Sequence, residues 1–77
     1  MPRYFFHLKD GNDVLEDDTG EELATTEEAR QHSLRVAFEL GRNRPDRIIA
    51  KMCVLVTDLD NGVLFHTPLA IHHFKPT

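Results

Sequence analysis

The chain has 77 residues, of which 40% are hydrophobic and 29% are charged, and its formal net charge is −4. This composition is typical of one small globular domain over residues 1–77, and it argues against intrinsic disorder. The apolar runs fall well short of the roughly 20 residues that cross a membrane, which excludes a spanning helix. The excess of acidic groups argues against general nucleic-acid binding.

The expected compartment follows from the cysteine count and from the two ends of the sequence. Cys53 is the single cysteine, which excludes an intramolecular disulfide and fits a reducing environment. The opening residues lack the basic-then-apolar layout of a signal peptide, and the last residues lack a lipidation box. We therefore expect a cytoplasmic protein without membrane attachment.

The first third of the chain predicts a β-hairpin. Residues 3–8 contain three aromatic side chains and lead into Asp10-Gly11, a hairpin turn signal. Residues 13–16 form the expected short return strand. Residues 17–22 then read as a polar loop.

A helix is the clearest signal in the middle of the chain. Thr25 and Glu28 have the spacing of a capping box, which predicts a helix over residues 26–40 that ends at or just before Gly41. One stripe of this helix is expected to face the core, and it consists mostly of small residues: Ala29, Ser33, Val36, Ala37 and Leu40.

The second half predicts another hairpin. A basic loop over residues 42–47 precedes a long strand over residues 48–58, and an Asn-Gly turn signal follows. Residues 63–74 form the return strand, which Pro68 makes an edge strand, a bulged strand or a broken one. The order ββαββ predicts an α+β fold: a four-stranded antiparallel or mixed sheet with one helix packed on one face.

Several segments together resemble a known family. They are the opening Arg3-Tyr4-Phe5-Phe6-His7-Leu8-Lys9-Asp10-Gly11, Asp18-x-Gly20-x-Glu22-Leu23, the Ala29-Arg30 pair near the helix start, and Val56-Thr57-Asp58-x-Asp60-Asn61-Gly62-Val63-Leu64. The chain is similar over nearly its whole length to short alphaproteobacterial proteins classed as a domain of unknown function. The resemblance implies no activity, substrate or catalytic residue.

The histidines do not form a recognised metal motif. His66 and His72 share strand parity but lie about 20 Å apart along a continuous strand, at ~3.3 Å per residue. His72 and His73 are adjacent and point to opposite faces. A site would need a cross-strand partner, such as His7 against His66, and no zinc spacing is present. We therefore predict no metal.

Neither the cysteine nor the acidic segment indicates catalysis. Cys53 lies mid-strand between apolar residues and reads as a small hydrophobic side chain rather than a nucleophile. Residues 10–28 hold nine acidic residues without Lys or Arg, but neither Asp10 nor Asp17 starts a calcium-loop pattern. The sequence predicts no catalytic residue and no cofactor, and hence a non-enzymatic protein.

Apolar residues on both faces of the long strand predict self-association. Even positions from 48 to 56 are all apolar and should face the helix, yet the odd positions are also largely apolar. Such a patch is unusual on a soluble monomer. We expect a homodimer or another protein contact through the following residues: Phe5, Leu34, Phe38, Ile49, Cys53 and Leu55.

Three dimer modes stay open. They use the sheet face, the outward helix face with Leu34 and Phe38, or an exchanged segment over residues 69–74. The sheet face is favoured because a central strand contributes it. A monomer with a half-exposed sheet face is the plain alternative.

Nucleic-acid binding is the alternative function. Residues 29–51 carry a local charge of +4, and Arg42, Arg44, Arg47 and Lys51 could contact phosphates. The RNP1 pattern of the RNA-recognition fold is missing, and the basic run also suits a solvated loop.

Overall fold

Two hairpins and one long helix make up the fold, which a computed structural model describes over residues 1–69. The α+β prediction is confirmed: α1 packs on one face of an antiparallel sheet. The elements follow the chain as β1 Arg3–Asp10, β2 Asp13–Leu15, β3 Glu21–Glu22, α1 Thr26–Gly41, α2 Asp46–Ile49, β4 Met52–Thr57 and β5 Val63–Pro68.

Strand β1 is central although it comes first along the chain. The sheet order is β2-β1-β4-β5, and β3 also pairs with β1. β1 aligns with β4 from Phe5 opposite Thr57 to Asp10 opposite Met52. All pairings are antiparallel. The topology therefore places β4 between the first strand and the last.

Small residues let α1 pack closely on the sheet. Ala29 and Ala37 are fully buried, as are Val54 and Val56 on β4. The Ser33 hydroxyl donates to the Arg30 carbonyl oxygen at 2.7 Å, and its oxygen lies 2.7 Å from the Thr67 hydroxyl of β5. The expected small-residue stripe is thus the core face, and one buried hydroxyl pair joins the helix to the edge strand.

The helix begins where the capping box predicts. The Thr25 hydroxyl oxygen accepts a hydrogen bond from the Glu28 amide at 3.1 Å. The Glu28 carboxylate accepts from the Ala24 amide at 2.9 Å, one residue before the expected donor. The first contact satisfies a backbone donor that a helix start leaves unpaired, and the second ties the residue before the cap to the first turn.

The predicted strand over residues 48–58 is wrong at its start. Residues 46–49 form α2 instead, in which the amides of Ile48 and Ile49 both donate to the Pro45 carbonyl oxygen. β1 ends opposite Met52, so the preceding residues have no strand beside them to pair with. Ile49 is 1% exposed and Ile48 is 40% exposed, which reverses their expected placement.

The ends of the two hairpins also differ from expectation. Glu21–Glu22 form β3, not part of a polar loop, because they pair with Arg3 and Tyr4 of β1. Pro68 ends β5, beyond which Leu69 is fully buried in the core of its own chain. The exchanged segment over residues 69–74 stays a prediction, because Leu69 is described in a single chain only and residues 70–74 lie outside the described residues.

Candidate functional site on the open face of the sheet

The sheet face opposite α1 carries most of the residues predicted for an interface. The strand register places three side chains from each of β1, β4 and β5 on this face, in three adjacent rows. We call this surface the open face; its rows are Phe5, His7 and Lys9 of β1, Thr57, Leu55 and Cys53 of β4, and Val63, His66 and Pro68 of β5.

The open face is partly apolar and shallowly concave. Phe5, Cys53 and Leu55 are half-buried, whereas Val63 is 58% exposed. A depression of about 300 Å³ lies between the β1–β4 pair and the loops around it. Its lining combines apolar and polar side chains: His7, Val14, Glu16, Leu55, Thr57, Asn61 and Val63.

Both ring nitrogens of His7 are engaged by the fold. Nδ1 accepts a hydrogen bond from the Asp17 amide at 3.0 Å. Nε2 lies 3.0 Å from the Thr57 hydroxyl oxygen. An accepting Nδ1 carries no proton, so the neutral ring holds its proton on Nε2 and donates it to Thr57. The ring also stacks near Phe5, with centroids 6.3 Å apart.

Asp17 fixes the chain between β2 and β3. One carboxylate oxygen accepts from the Phe6 amide at 3.1 Å, and the other accepts from the amides of Thr19 and Gly20 at 3.1 Å. Partial burial raises the pKa of the Asp17 carboxyl, but these three backbone donors outweigh it and hold the pKa below its usual range. Phe6 pairs with β4 on one edge of β1, and on the other edge, between the pairings with β3 and β2, the carboxylate takes the place of a strand partner.

Gly20 allows this loop to lie against β1. Its φ is +75°, and an added Cβ would lie 2.9 Å from both the Phe5 ring and the Tyr4 carbonyl oxygen. Arg3 holds the same loop from outside, donating to the Thr19 carbonyl oxygen at 2.7 Å and to the Glu22 carboxylate at 3.1 Å. Backbone geometry and side-chain contacts thus fix the loop together.

One known protein family matches nearly the whole chain. Residues 3–70 match the family described as Domain of unknown function (DUF6894). The chain belongs to the DUF6894 family. Neither the curated proteins nor the solved structures contain a match to it.

In this DUF6894 chain, the predicted interface residues fall on different surfaces. Phe5, Cys53 and Leu55 share the open face, while Ile49 lies in the core on the opposite side of the sheet. Burial raises the pKa of the Cys53 thiol, which keeps it protonated at neutral pH.

The other two predicted interface residues lie on α1. Leu34 is half-buried, and Phe38 is 43% exposed with the Arg42 guanidinium 5.8 Å from its ring centroid. The open face and this helix surface are therefore separate candidates for contact.

All four predicted phosphate-contacting residues are exposed, and among the described residues two of them have side-chain partners. Arg42 pairs with Glu39 at 3.1 Å. The Arg44 guanidinium donates to the Leu40 carbonyl oxygen at the end of α1. Arg47 lies on α2, and Lys51 directly precedes β4. Half of the set thus stabilises the end of the helix.

Residues 1–69 contain neither a metal-ligand cluster nor a membrane-spanning helix. In this range no group of three or more His, Cys, Asp or Glu side chains could hold a metal ion. His7 and His66 lie on either side of Leu55, since β4 separates their strands. His72 and His73 lie outside the described residues. No helix in the described part of the DUF6894 chain is long and apolar enough to cross a membrane.

Sequence reasoning missed the contact between His7 and Asp17. Asp17 and Thr19 have the spacing of an Asx turn, which could have indicated the bonds inside the loop. The bonds from the loop to Phe6 and His7 cross ten residues or more, and the local pattern holds no signal for them.

Proposed function

We propose that this chain is a small non-enzymatic protein of the bacterial cytoplasm that acts through protein contacts, first of all as a twofold dimer joined at the open face. The observation that carries the proposal is that α1 covers one face of the sheet and leaves half-buried Phe5, Cys53 and Leu55 on the other.

The dimensions of the molecule support a face-to-face contact. Its Cα atoms span 35 × 30 × 16 Å, which corresponds to one sheet layer and one helix layer. A stable interface buries about 800 Å² on each partner, an area that the broad face can supply. A second copy on the open face would provide the second covering layer that the sheet lacks.

The chemistry of the open face is also that of an interface. Leu55 lies at its centre between the rings of His7 and His66, Phe5 and Cys53 add apolar surface, and Lys9 and Glu16 add charge. Protein contacts that are not obligate combine apolar and polar surface in this way. A twofold arrangement pairs such a patch with its own copy and closes the assembly at two chains.

The non-enzymatic part of the proposal is supported by the use of the polar groups. The His7 ring and the Asp17 carboxylate both hold the backbone of the loop, so neither is free to act on a substrate in this conformation. The Cys53 thiol lies mid-strand with a raised pKa. A low thiol pKa is what a nucleophilic cysteine requires.

Nucleic-acid binding through residues 42–51 is the alternative function. It is supported by the exposure of Arg42, Arg44, Arg47 and Lys51. The pairing of Arg42 with Glu39 and of Arg44 with Leu40 weakens it, because phosphate binding would compete with both contacts.

Sedimentation equilibrium at micromolar concentration tests the dimer. We expect twice the single-chain mass for the wild type and the single-chain mass for Leu55→Lys, which places a charge at the centre of the open face. Val63→Lys repeats the test at a more exposed position of the same face, where a charge leaves the core intact. Leu59→Lys in the β4–β5 turn, where Leu59 is 68% exposed, is the matched control and should stay dimeric.

Two outcomes would contradict this mode of association. A single-chain mass for the wild type across the accessible range would exclude the dimer. A dimer that both open-face variants preserve and that Phe38→Lys dissociates would assign the contact to the outward surface of α1 instead.

A further inference from the structure

We propose that His7 and Asp17 form a pH-sensitive clasp, in which protonation of the imidazole releases the loop over residues 16–20 from the edge of β1. The clasp is a property of the single chain and does not depend on the dimer. Two reciprocal contacts define it: the Asp17 amide donates to His7 Nδ1, and the Asp17 carboxylate accepts from the Phe6 amide.

The hydrogen-bond pattern admits only one protonation state of His7. Nδ1 must accept from the Asp17 amide, and Nε2 has Thr57 as its partner. An imidazolium carries protons on both nitrogens and has no acceptor. Protonation would therefore set an N–H of the ring against the N–H of Asp17, and one of the two groups must move.

The charges around His7 do not remove this conflict. Asp17 and Glu16 lie on the loop side, and Lys9 follows on β1 two residues away. The other side chains around the ring carry no charge. They are Val14 of β2, Leu55 and Thr57 of β4, Asn61 of the β4–β5 turn, Val63 of β5, and Phe5 stacked beside the ring. Two titratable groups lie further along the open face: Cys53 beside Lys9, and His66 beyond Leu55.

The Asp17 carboxylate attracts an imidazolium, but it cannot bind one without a change in the loop. Its oxygens already accept from the amides of Phe6, Thr19 and Gly20. A turn of the carboxylate towards the ring would give up at least one of these donors. Whether the loop leaves or the carboxylate turns, protonation ends the bond between the Asp17 amide and Nδ1.

The loop that the clasp holds borders the candidate contact surface. Glu16 lines the depression on the open face, and Gly20 is packed against the Phe5 ring. Release of the loop would change the margin of that surface and loosen the short pairing of β3 with β1. The clasp thus couples the protonation of one half-buried ring to the shape of one edge of the sheet.

Amide hydrogen exchange followed by NMR on the full chain tests the clasp. We compare protection factors, which correct for the intrinsic pH dependence of exchange, between about pH 7.5 and about pH 5.5, the range in which histidines ordinarily titrate. We expect the protection of the Asp17 amide to fall about fivefold in the wild type, as loss of one hydrogen bond predicts. Chemical shifts of the His7 ring follow its protonation in the same samples.

Two variants separate the clasp from a general effect of pH. His7→Asn keeps an acceptor oxygen near the position of Nδ1 but does not titrate, so Asp17 protection should no longer depend on pH. His66→Asn removes the other described histidine of the open face and should keep the wild-type dependence. Unchanged Asp17 protection while His7 titrates, absence of His7 titration in this range, or an equal loss in His7→Asn would each overturn the proposal.

Discussion

The two faces of the sheet are built by opposite means. On the helix face, apolar side chains of β4 are fully buried beneath the small residues of α1. On the open face, half-buried apolar residues lie among polar ones, and hydrogen bonds from His7 and Asp17 organise the surface. One face is stabilised by packing and the other by polar contacts to the backbone.

This difference determines how each face responds to change. Packed apolar surface tolerates changes of pH and loses stability when volume is removed. A face held by hydrogen bonds to titratable groups responds to protonation, and a small loss of volume affects it less. Substitutions that remove volume, backbone freedom or charge should therefore act unequally on the two faces.

The largest expected effect is the removal of volume at Ile49. Because Ile49 is 1% exposed, Ile49→Ala should lower the free energy of unfolding by about 3 kcal/mol, as for other buried aliphatic residues. Ile48→Ala is the matched control next to it and should cost less than about 1 kcal/mol, since Ile48 is 40% exposed. Urea unfolding measures both, and equal losses would contradict the assignment of Ile49 to the helix side.

A smaller effect is expected for an added methyl group at the edge of the open face. Gly20→Ala combines an unfavourable positive φ with a Cβ that meets the Tyr4 carbonyl oxygen, and we expect a loss of about 2 kcal/mol. Gly11→Ala also has a positive φ, of +62°, but open space around its Cβ, and should lose about 1 kcal/mol. Thermal unfolding of the two variants separates the steric contact at Gly20 from the cost of the positive φ, which both variants share. If Gly11→Ala were the less stable variant, the close approach at Gly20 would be refuted.

The smallest effect and the clearest pH dependence belong to Asp17. In the His7→Asn background, where the clasp does not titrate, the stabilisation from the Asp17 carboxylate is present above about pH 4, because folding lowers its pKa, and it is lost as pH falls through the folded pKa. In that background, Asp17→Asn should lower the free energy of unfolding by about 1 kcal/mol near neutral pH. The difference should shrink on acidification. Asp18→Asn, at the exposed neighbouring residue, is the control. If the free energies of unfolding of His7→Asn with and without Asp17→Asn differed by the same amount at every pH, the role assigned to Asp17 would be contradicted.

Much of the helix face could be predicted from the sequence because its signals are local. The capping box gives the start of α1, and the spacing of Ala29, Ser33 and Ala37 gives the buried stripe. Apolar alternation likewise identifies the core side of β4 from Met52 to Val56. These patterns depend on residues a few positions apart, so one sequence is sufficient to read them.

The errors arose where distant residues decide the structure. Ile48 and Ile49 have high strand propensity, yet they form α2 because β1 ends before it could pair with them. Glu21 and Glu22 have low strand propensity, yet β1 offers them an unpaired edge. The clasp between His7 and Asp17 belongs to the same class, since only the folded sheet brings the ring to the loop amide.

The central position of β1 also has a consequence for the order in which the chain can fold. Its main partner is β4, and the His7–Thr57 contact joins residues 50 positions apart. On the ribosome, β1 emerges long before β4, and until then the three-residue β2 is its longest partner. Such non-local pairing slows folding because the connecting chain must first be ordered. Until β4 pairs with it, β1 has aromatic side chains and an unpaired edge exposed, which are the features that make folding intermediates prone to aggregate.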